Sequence, residues 1–381
     1  MIPKIFNLGE LRCLFIFILL VAFDIHTGSA QSIFAAKEAL FSTPRQYTVS
    51  FNSLAPILDG KIDDAVWKNL EWTEYFVDIE GDKKPAPPLN TRVKMSWNNT
   101  GLFIAAEMQD PHVWANLKNY DDIVYNDNDF EIFIDPDNDT HRYYEIEVNA
   151  LSTVFDLFMA KPYRNGSGAM IAYDLPGLKS AVNVQGTLNQ PNDKDNGWTV
   201  EIFVPFAAVT IGMSPKVPSD GDFWRINFSR VEYHTEIKDG KYSKKKNSSG
   251  RNRPEENWVW SPQGVINMHF PERWGYLHFS KREAGEPGKT YSIPYSEIQK
   301  KYLWLVYYLQ KDYFQKHHMY ASKLKELGIY DNTFILENKE NKLRMEATSR
   351  QFMVYISSDE NIHTVNDEGL VQLTKPIPIT K

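Results

Sequence analysis

Short runs in which apolar and polar residues alternate dominate the chain from about residue 47 to residue 280, and clusters of Asn, Asp, Gly and Pro separate them. A period of two puts alternate side chains on opposite faces of a strand, so runs of this kind bounded by turn residues predict half-buried β-strands. In "TRVKMSWN" the residues in phase are Val93, Met95 and Trp97, and in "GLFIAAEM" they are Leu102, Ile104 and Ala106. "GWTVEIFVPF" aligns Trp198, Val200, Ile202 and Val204, "FWRINFSRVEY" aligns Trp224, Ile226 and Phe228, and "RWGYLHFS" closes the series. About ten such runs, with one short helical signal in "DDAVWKNL", predict a mainly β fold: an antiparallel β-sandwich of jelly-roll type over residues 46–281.

Beyond residue 294 the period changes. Ser296 and Gln299 have capping-box spacing, and Ile298, Tyr302, Leu305 and Leu309 recur at helical intervals, which predicts a helix with Gly328 as its stop. "TFILE", "LRMEAT" and "QFMVYIS" predict a small β-meander, with a hairpin turn at "NDEG". Residues 294–381 therefore read as a C-terminal helical and β appendage. The stripe Tyr302, Trp304, Tyr307 and Tyr308 is first of all a packing face, with a partner-binding face as the alternative.

The amino terminus changes the expected compartment. Lys4 and Arg12 precede the apolar run "LFIFILLVAF", and Gly28-Ser29-Ala30 follows, which is the order of a secretory signal peptide over residues 1–30. The apolar run is about half of the roughly 20 residues needed to span a bilayer, so the expectation is a secreted, periplasmic or cell-surface product with no membrane span. The single cysteine, Cys13, falls inside that segment, which removes disulfides and thiol chemistry from the mature chain. A net charge of −7 argues against a nucleic-acid partner. The one basic run, "KDGKYSKKKNSSGR", reads as a solvated mobile loop.

Candidate chemistry concentrates in "DNDFEIFIDPDNDTHRYYEIEVNA", residues 127–150. Pairing its two alternating runs as a hairpin turns Phe130, Ile132, Ile134, Tyr144, Ile146 and Val148 to the core and brings Glu131 near Glu147 on the outer face. Like charges across a sheet require a cation, an Arg or a hydroxyl-rich ligand between them, and Arg230 is a candidate for that cation. Asp135, Asp137 and Asp139 match the first ligand positions of an EF-hand, but Thr140 stands where Gly is needed and Ile146 where a bidentate Glu is needed. Those three carboxylates remain a candidate calcium loop, completed by carbonyls from elsewhere.

"PILDGKIDDAVWKN", "TRVKMSWNNTGLFIAAEMQDP", "NDNDFEIFIDPDND", "YYEIEVNA", "GWTVEIFVPF" and "WGYLHFS" occur in that order between residues 55 and 280. Together they resemble the family 9 carbohydrate-binding modules. The resemblance implies a β-sandwich carrying calcium and a slot that holds a terminal sugar between two tryptophans. It places Glu131 at the sugar-contacting Glu and Tyr125 at one tryptophan position. The second tryptophan falls near Met268, with His269 adjacent, and a family Arg contact corresponds to Glu147. These departures imply a divergent branch.

The candidate ligand-binding set is then Tyr125, Asp129, Glu131, Glu147, Asn149, Arg230 and Met268, with Trp114, Trp258 and Trp260 as a stacking platform if they lie at the surface and as core if they do not. The expected function is exported, non-catalytic binding of a polysaccharide or oligosaccharide by aromatic stacking and carboxylate or amide hydrogen bonds. Two alternatives remain open. One is a glycoside hydrolase that pairs Glu131 with Glu147 or Asp129. The other is a haem-binding relative of the same sandwich, using Met268 with His269 or Met108 with His112.

Overall fold

The alternating runs form strands where the period predicts them. The structure, a computed structural model, describes residues 37–374 except residues 167, 215, 285, 287–289 and 359–360. The expected signal segment lies outside the described residues. The chain divides into two compact units: Thr43–Pro294 with Glu368–Gln372, and Tyr295–Asp367 with the described residues 37–42 and 373–374.

In chain order the first unit contains β1 (Gln46–Phe51), the short helix α1 (Ala65–Lys68), β2 (Val77–Asp78), β3 (Thr91–Trp97), β4 (Gly101–Gln109), β5 (Asp129–Asp135), β6 (Tyr143–Asn149) and β7 (Val154–Met159). It continues with β8 (Lys179–Gln185), β9 (Gly197–Pro205), β10 (Phe223–Glu232), β11 (Thr235–Lys238), β12 (Lys241–Lys244), β13 (Glu256–Val259) and β14 (Gly275–Glu283). One layer runs β7-β6-β5-β10-β14 and the other β3-β4-β9-β8, with β1 joining them between β14 and β3. The inward residues of both layers form one core: Trp97 of β3 meets Phe279 of β14 edge-on at 5.3 Å. This is the expected sandwich.

β1 departs from the antiparallel rule. It runs parallel to β14 from Gln46 to Ser50 and parallel to β3 at Ser50 and Phe51, with a register shift between those two residues. Parallel neighbours need a long crossover, and both connections supply one. At the shift, the Trp97 indole N–H donates to the carbonyls of Val49 (3.1 Å) and Ser280 (2.9 Å), which satisfies groups that the ladder leaves open.

The "LDGKIDDAVW" segment is a clamp on β9. Glu201, fully buried, accepts the indole N–H of Trp67 at 2.7 Å and the amides of Gly60 at 2.8 Å and Asp59 at 3.1 Å. Gly60 has φ +83°, and a Cβ there would stand 2.5 Å from the Val182 carbonyl carbon, so only glycine fits. The basic run is not a plain loop: part of it forms the antiparallel hairpin β11–β12, with the Tyr242 hydroxyl 3.1 Å from His112 Nδ1. That aromatic anchor is what the charge pattern concealed.

The second unit holds α2 (Tyr295–His317) and an antiparallel meander, β15 (Thr333–Leu336), β16 (Lys339–Ala347), β17 (Phe352–Ser357) and β18 (Ile362–Asn366); β19 (Val371–Thr374) is the last strand of that sheet, and only its residues 373–374 fall in this unit. α2 begins at Tyr295, so Ser296 sits within its first turn and forms no capping box; the buried Gln299 donates instead to Asn341 at 2.7 Å. The helix ends at His317, and Gly328 closes a short 3₁₀ turn further on. Trp304 and Tyr307 are buried, and Tyr307 packs on Phe352 of β17, so the aromatic stripe includes a packing face. Among the described residues no helix is long and apolar enough to cross a membrane.

His363 on β18 is 4% exposed, and neither ring nitrogen has a hydrogen-bond partner. Burial, reinforced by Lys300, pushes its pKa down to about 4. The unfolded chain takes up this proton near the usual 6.5 and the folded chain only near 4, so the stability that the neutral ring allows is lost as pH falls through that window. Thermal melts between pH 7 and pH 4 are expected to show a falling midpoint for the second unit, and His363→Leu to flatten that fall.

Candidate functional site

The β5–β6 register pairs Glu131 with Glu147, Phe133 with Glu145 and Asp129 with Asn149. Alternation sends Phe130, Ile132, Ile134, Tyr144, Ile146 and Val148 into the core, as the hairpin reading requires. The opposite face, read from the sequence as the outer one, is buried: Asp129 is 0%, Glu131 5%, Glu145 5% and Glu147 1% exposed. A second apolar cluster, including Ile79, Val124, Phe133, Phe155, Leu157 and Met268, builds up over that face. The loops after β4 and around β13 supply its cover, and nothing in the two strands themselves announces them.

Between that cover and the strands lies a cavity of about 550 Å³. Glu131, Glu145 and Glu147 make its floor, and Phe133, Phe155 and Met268 line its walls. Tyr125 (45% exposed), Tyr163 (44%) and Ile266 (70%) stand at its mouth. Tyr163 meets His269 edge-on at 4.4 Å. Tyr125 and Met268, both expected at the site, are therefore brought together with Glu131 and Glu147.

Burial pushes the Glu131 carboxyl up to about 7. Asp129, Glu145 and Glu147 are held well above the ordinary carboxylate range, first by burial and then by one another. Glu147 accepts the Tyr125 amide at 2.8 Å. The Val231 amide slightly favours the ionised form of Asp129, yet neither Asp129 oxygen completes a hydrogen bond. His269 is pushed down to about 4, mainly by burial, so it is neutral at pH 7; its Nδ1 shares a hydrogen bond with the Tyr143 hydroxyl at 2.9 Å while Nε2 lies 3.9 Å from Glu145. The floor is thus acidic, and the rim is aromatic and aliphatic.

Several expected residues lie elsewhere. Arg230 pairs across to Phe130 and so occupies the core side of β10, not the Glu131 side. There it binds Glu232 at 2.8 Å, Thr91 at 3.1 Å and the Gln109 carbonyl at 2.9 Å, so it cannot separate Glu131 from Glu147. Trp258 and Trp260 belong to the sandwich core, and Trp114 is buried against Val231 and Tyr233, so none forms a stacking platform. Asn149, fully buried, shapes the chain: its amide donates to the Leu117 carbonyl and its oxygen accepts the amides of Leu151 and Thr153. Met108 is inside the core and His112 Nδ1 is engaged by Tyr242, while the Met268 sulfur accepts from Gln263 at 3.0 Å, so neither Met–His pair offers two free haem ligands.

Asp135, Asp137 and Asp139 do converge, each offering an oxygen within 4.8 Å of the others. Asp135 accepts the amides of Asn138 and Thr140, both at 2.9 Å. The loop also supplies a cation of its own, because the Arg142 guanidinium pairs with Asp137 at 2.7 Å and with Asp139. Two site residues escaped sequence reasoning. Glu145 was legible from its phase with Glu147, whereas Tyr163 arrives on a turn after β7 that only the fold brings near.

Residues 57–255, more than half of the chain, match the family described as carbohydrate family 9 binding domain-like. The chain belongs to that family. Its carbohydrate-binding role is therefore grounded in family membership together with the cavity. Endo-1,4-beta-xylanase A of Thermoanaerobacterium saccharolyticum is 25% identical over 155 residues, 41% of this chain and 11% of the xylanase. Exoglucanase XynX of Acetivibrio thermocellus is 23% identical over 174 residues, 46% of this chain and 14% of the exoglucanase. The match thus spans a small part of either relative. A family 9 carbohydrate-binding module from Caldicellulosiruptor kristjanssonii, solved in complex with cellotriose and with glucose, aligns at 17% identity and a TM-score of 0.38, over 65% of this chain and 100% of that one.

Arg142→Gln removes the cation from the acidic loop. In chelator it is expected to lower stability by about 1 kcal/mol, a figure reduced for the partial exposure of the guanidinium. Added calcium is expected to restore the melting midpoint, since the three converging carboxylates then lack an ion-pairing cation among the described residues.

Proposed function

We propose that this chain is an exported, non-catalytic carbohydrate-binding protein that takes a glycan end into the β5–β6 cavity. The observation that carries this reading is the pairing of two half-exposed tyrosines, Tyr125 and Tyr163, with a floor of carboxylates in one cavity of about 550 Å³. That volume lies within the range of about 300–1,000 Å³ usual for small-ligand sites. The apolar face of a pyranose stacks on an aromatic ring, and its hydroxyls donate to carboxylates. The signal-like order of residues 1–30 supports export.

A binding role also accords with the placement of Glu131 and Glu147. They stand directly opposite one another on neighbouring strands, side by side on the floor. A hydrolytic pair has to flank the scissile bond from two sides, with carboxyl groups roughly 5–9.5 Å apart. The names of the relatives make β-1,4-linked xylo- and gluco-oligosaccharides the first ligands to try.

Titration calorimetry with xylotriose, cellotriose and glucose, followed by a wider glycan array, is expected to show binding that Tyr125→Ala weakens at least about tenfold, or about 1.4 kcal/mol. Absence of binding to every glycan tried would overturn the reading. Release of reducing ends from the same oligosaccharides, lost in Glu131→Gln, would replace it with the hydrolase reading.

A further inference from the structure

Two carboxylate triads face each other in chemical kind but differ in one respect. The Asp135 loop contains Arg142, whereas the cavity floor has no ion-pairing cation among the described residues. Arg230 is committed to Glu232 on the far side of β10, and Lys244 stands over the Tyr233 ring at 3.2 Å, where it feels Asp127, Glu255 and Asp129 through space but makes no ion pair with the floor. The neighbouring imidazole, His269, is neutral.

The floor is also built like a coordination site. Asp129, Glu131 and Glu147 each offer an oxygen, and the three oxygens lie within 4.8 Å of one another. Calcium–oxygen distances of about 2.3–2.6 Å put the ligands of one ion roughly 3–5 Å apart, which matches. Asp129 is fully buried, and neither of its oxygens has a hydrogen-bond partner. An isolated buried carboxylate is strongly unfavourable unless something charged compensates it. All three donors are carboxylates, a set that selects hard ions such as calcium, magnesium or manganese over zinc or copper.

We propose that Asp129, Glu131 and Glu147 hold a divalent cation of the calcium class at the cavity floor, and that its outward positions take sugar hydroxyls. Glu131 and Glu147 line the cavity, Asp129 does not, and all three leave the same face of the β5–β6 pair, so the protein ligands come from that one face. Calcium accepts about 6–8 oxygens, so positions remain open toward the cavity for water or for neighbouring hydroxyls of a pyranose. The ion would also relieve the directly opposed pair Glu131 and Glu147. The second half of the proposal rests on the glycan-binding reading; the first half does not.

The test uses the full chain, stripped with chelator and then titrated with calcium chloride and, separately, magnesium chloride, by calorimetry and thermal melting. Wild type is expected to bind and to melt higher with metal. Asp129→Asn and Glu147→Gln are expected to weaken binding at least tenfold, and Asp137→Asn, in the other triad, to leave this site unchanged. Asp129→Asn replaces a buried carboxyl that has no hydrogen-bond partner with a neutral amide, so in chelator it is expected to melt no lower than wild type, which separates lost binding from lost folding. No response of the wild type to either metal overturns the proposal, as does a response preserved in Asp129→Asn and Glu147→Gln.

Sugar binding is then measured with and without calcium, and is expected only with it. Equal sugar binding in chelator overturns the bridging role and leaves the glycan reading intact, whereas metal binding without any sugar binding keeps the metal site and overturns the glycan reading together with the bridging role. Binding of glucosamine but not glucose in chelator, with no metal response, overturns the metal site and makes the ligand's own ammonium the counter-charge.

Discussion

Everything at the cavity depends on the alternation of two paired strands. Because side chains on β5 and β6 leave the sheet on opposite sides, the core residues Phe130, Ile132, Ile134, Tyr144, Ile146 and Val148 oblige Asp129, Glu131, Glu145 and Glu147 to share the other side. The core cannot be filled without crowding the acids. A register slip of one residue would relieve the crowding, but it would turn the whole apolar set outward. Burial energy therefore holds the acids together against their mutual repulsion, and this is the stored imbalance that a ligand or ion can use.

The fold was legible because sandwich strands write their period into the sequence. Val93, Met95 and Trp97, or Trp198, Val200, Ile202 and Val204, are inward sets that need no tertiary knowledge to identify. The cross-strand opposition of Glu131 and Glu147 was legible for the same reason. What was not legible came from outside the strands. The face carrying those acids looked solvent-facing because the loops that bury it have no period, and Tyr163 reaches the mouth from a turn with no signal of its own. Arg230 was misplaced by an assumption about side: its neighbours Ser229 and Val231 sit opposite Glu131 and Asp129, so its own side chain goes to the core.

Fold-defining and ligand-facing chemistry also occupy different parts of the sandwich. The segment around Gly60 and Trp67 reads like a functional motif, yet its groups are spent on the carboxylate of Glu201 in β9. At the cavity the balance is opposite, since Asp129 holds no hydrogen bond and Glu131 and Glu147 face open space. A substitution that alters charge at the floor leaves the Glu201 clamp untouched.

β1 fixes when this frame can close. Val49 aligns with Phe279, and Phe51 with Trp97, so the first strand is completed only by the last strand on one side and by β3 on the other. Pairings so distant in sequence form late, because a long loop must be closed before any contact offsets its entropy. The seam at β1 stays open until β14 is in place, although neighbouring pairs such as β3–β4 and β5–β6 need no such closure. A chain cut short of Gly275 therefore loses the partner of Gln46–Ser50 and leaves the seam between the two layers unpaired.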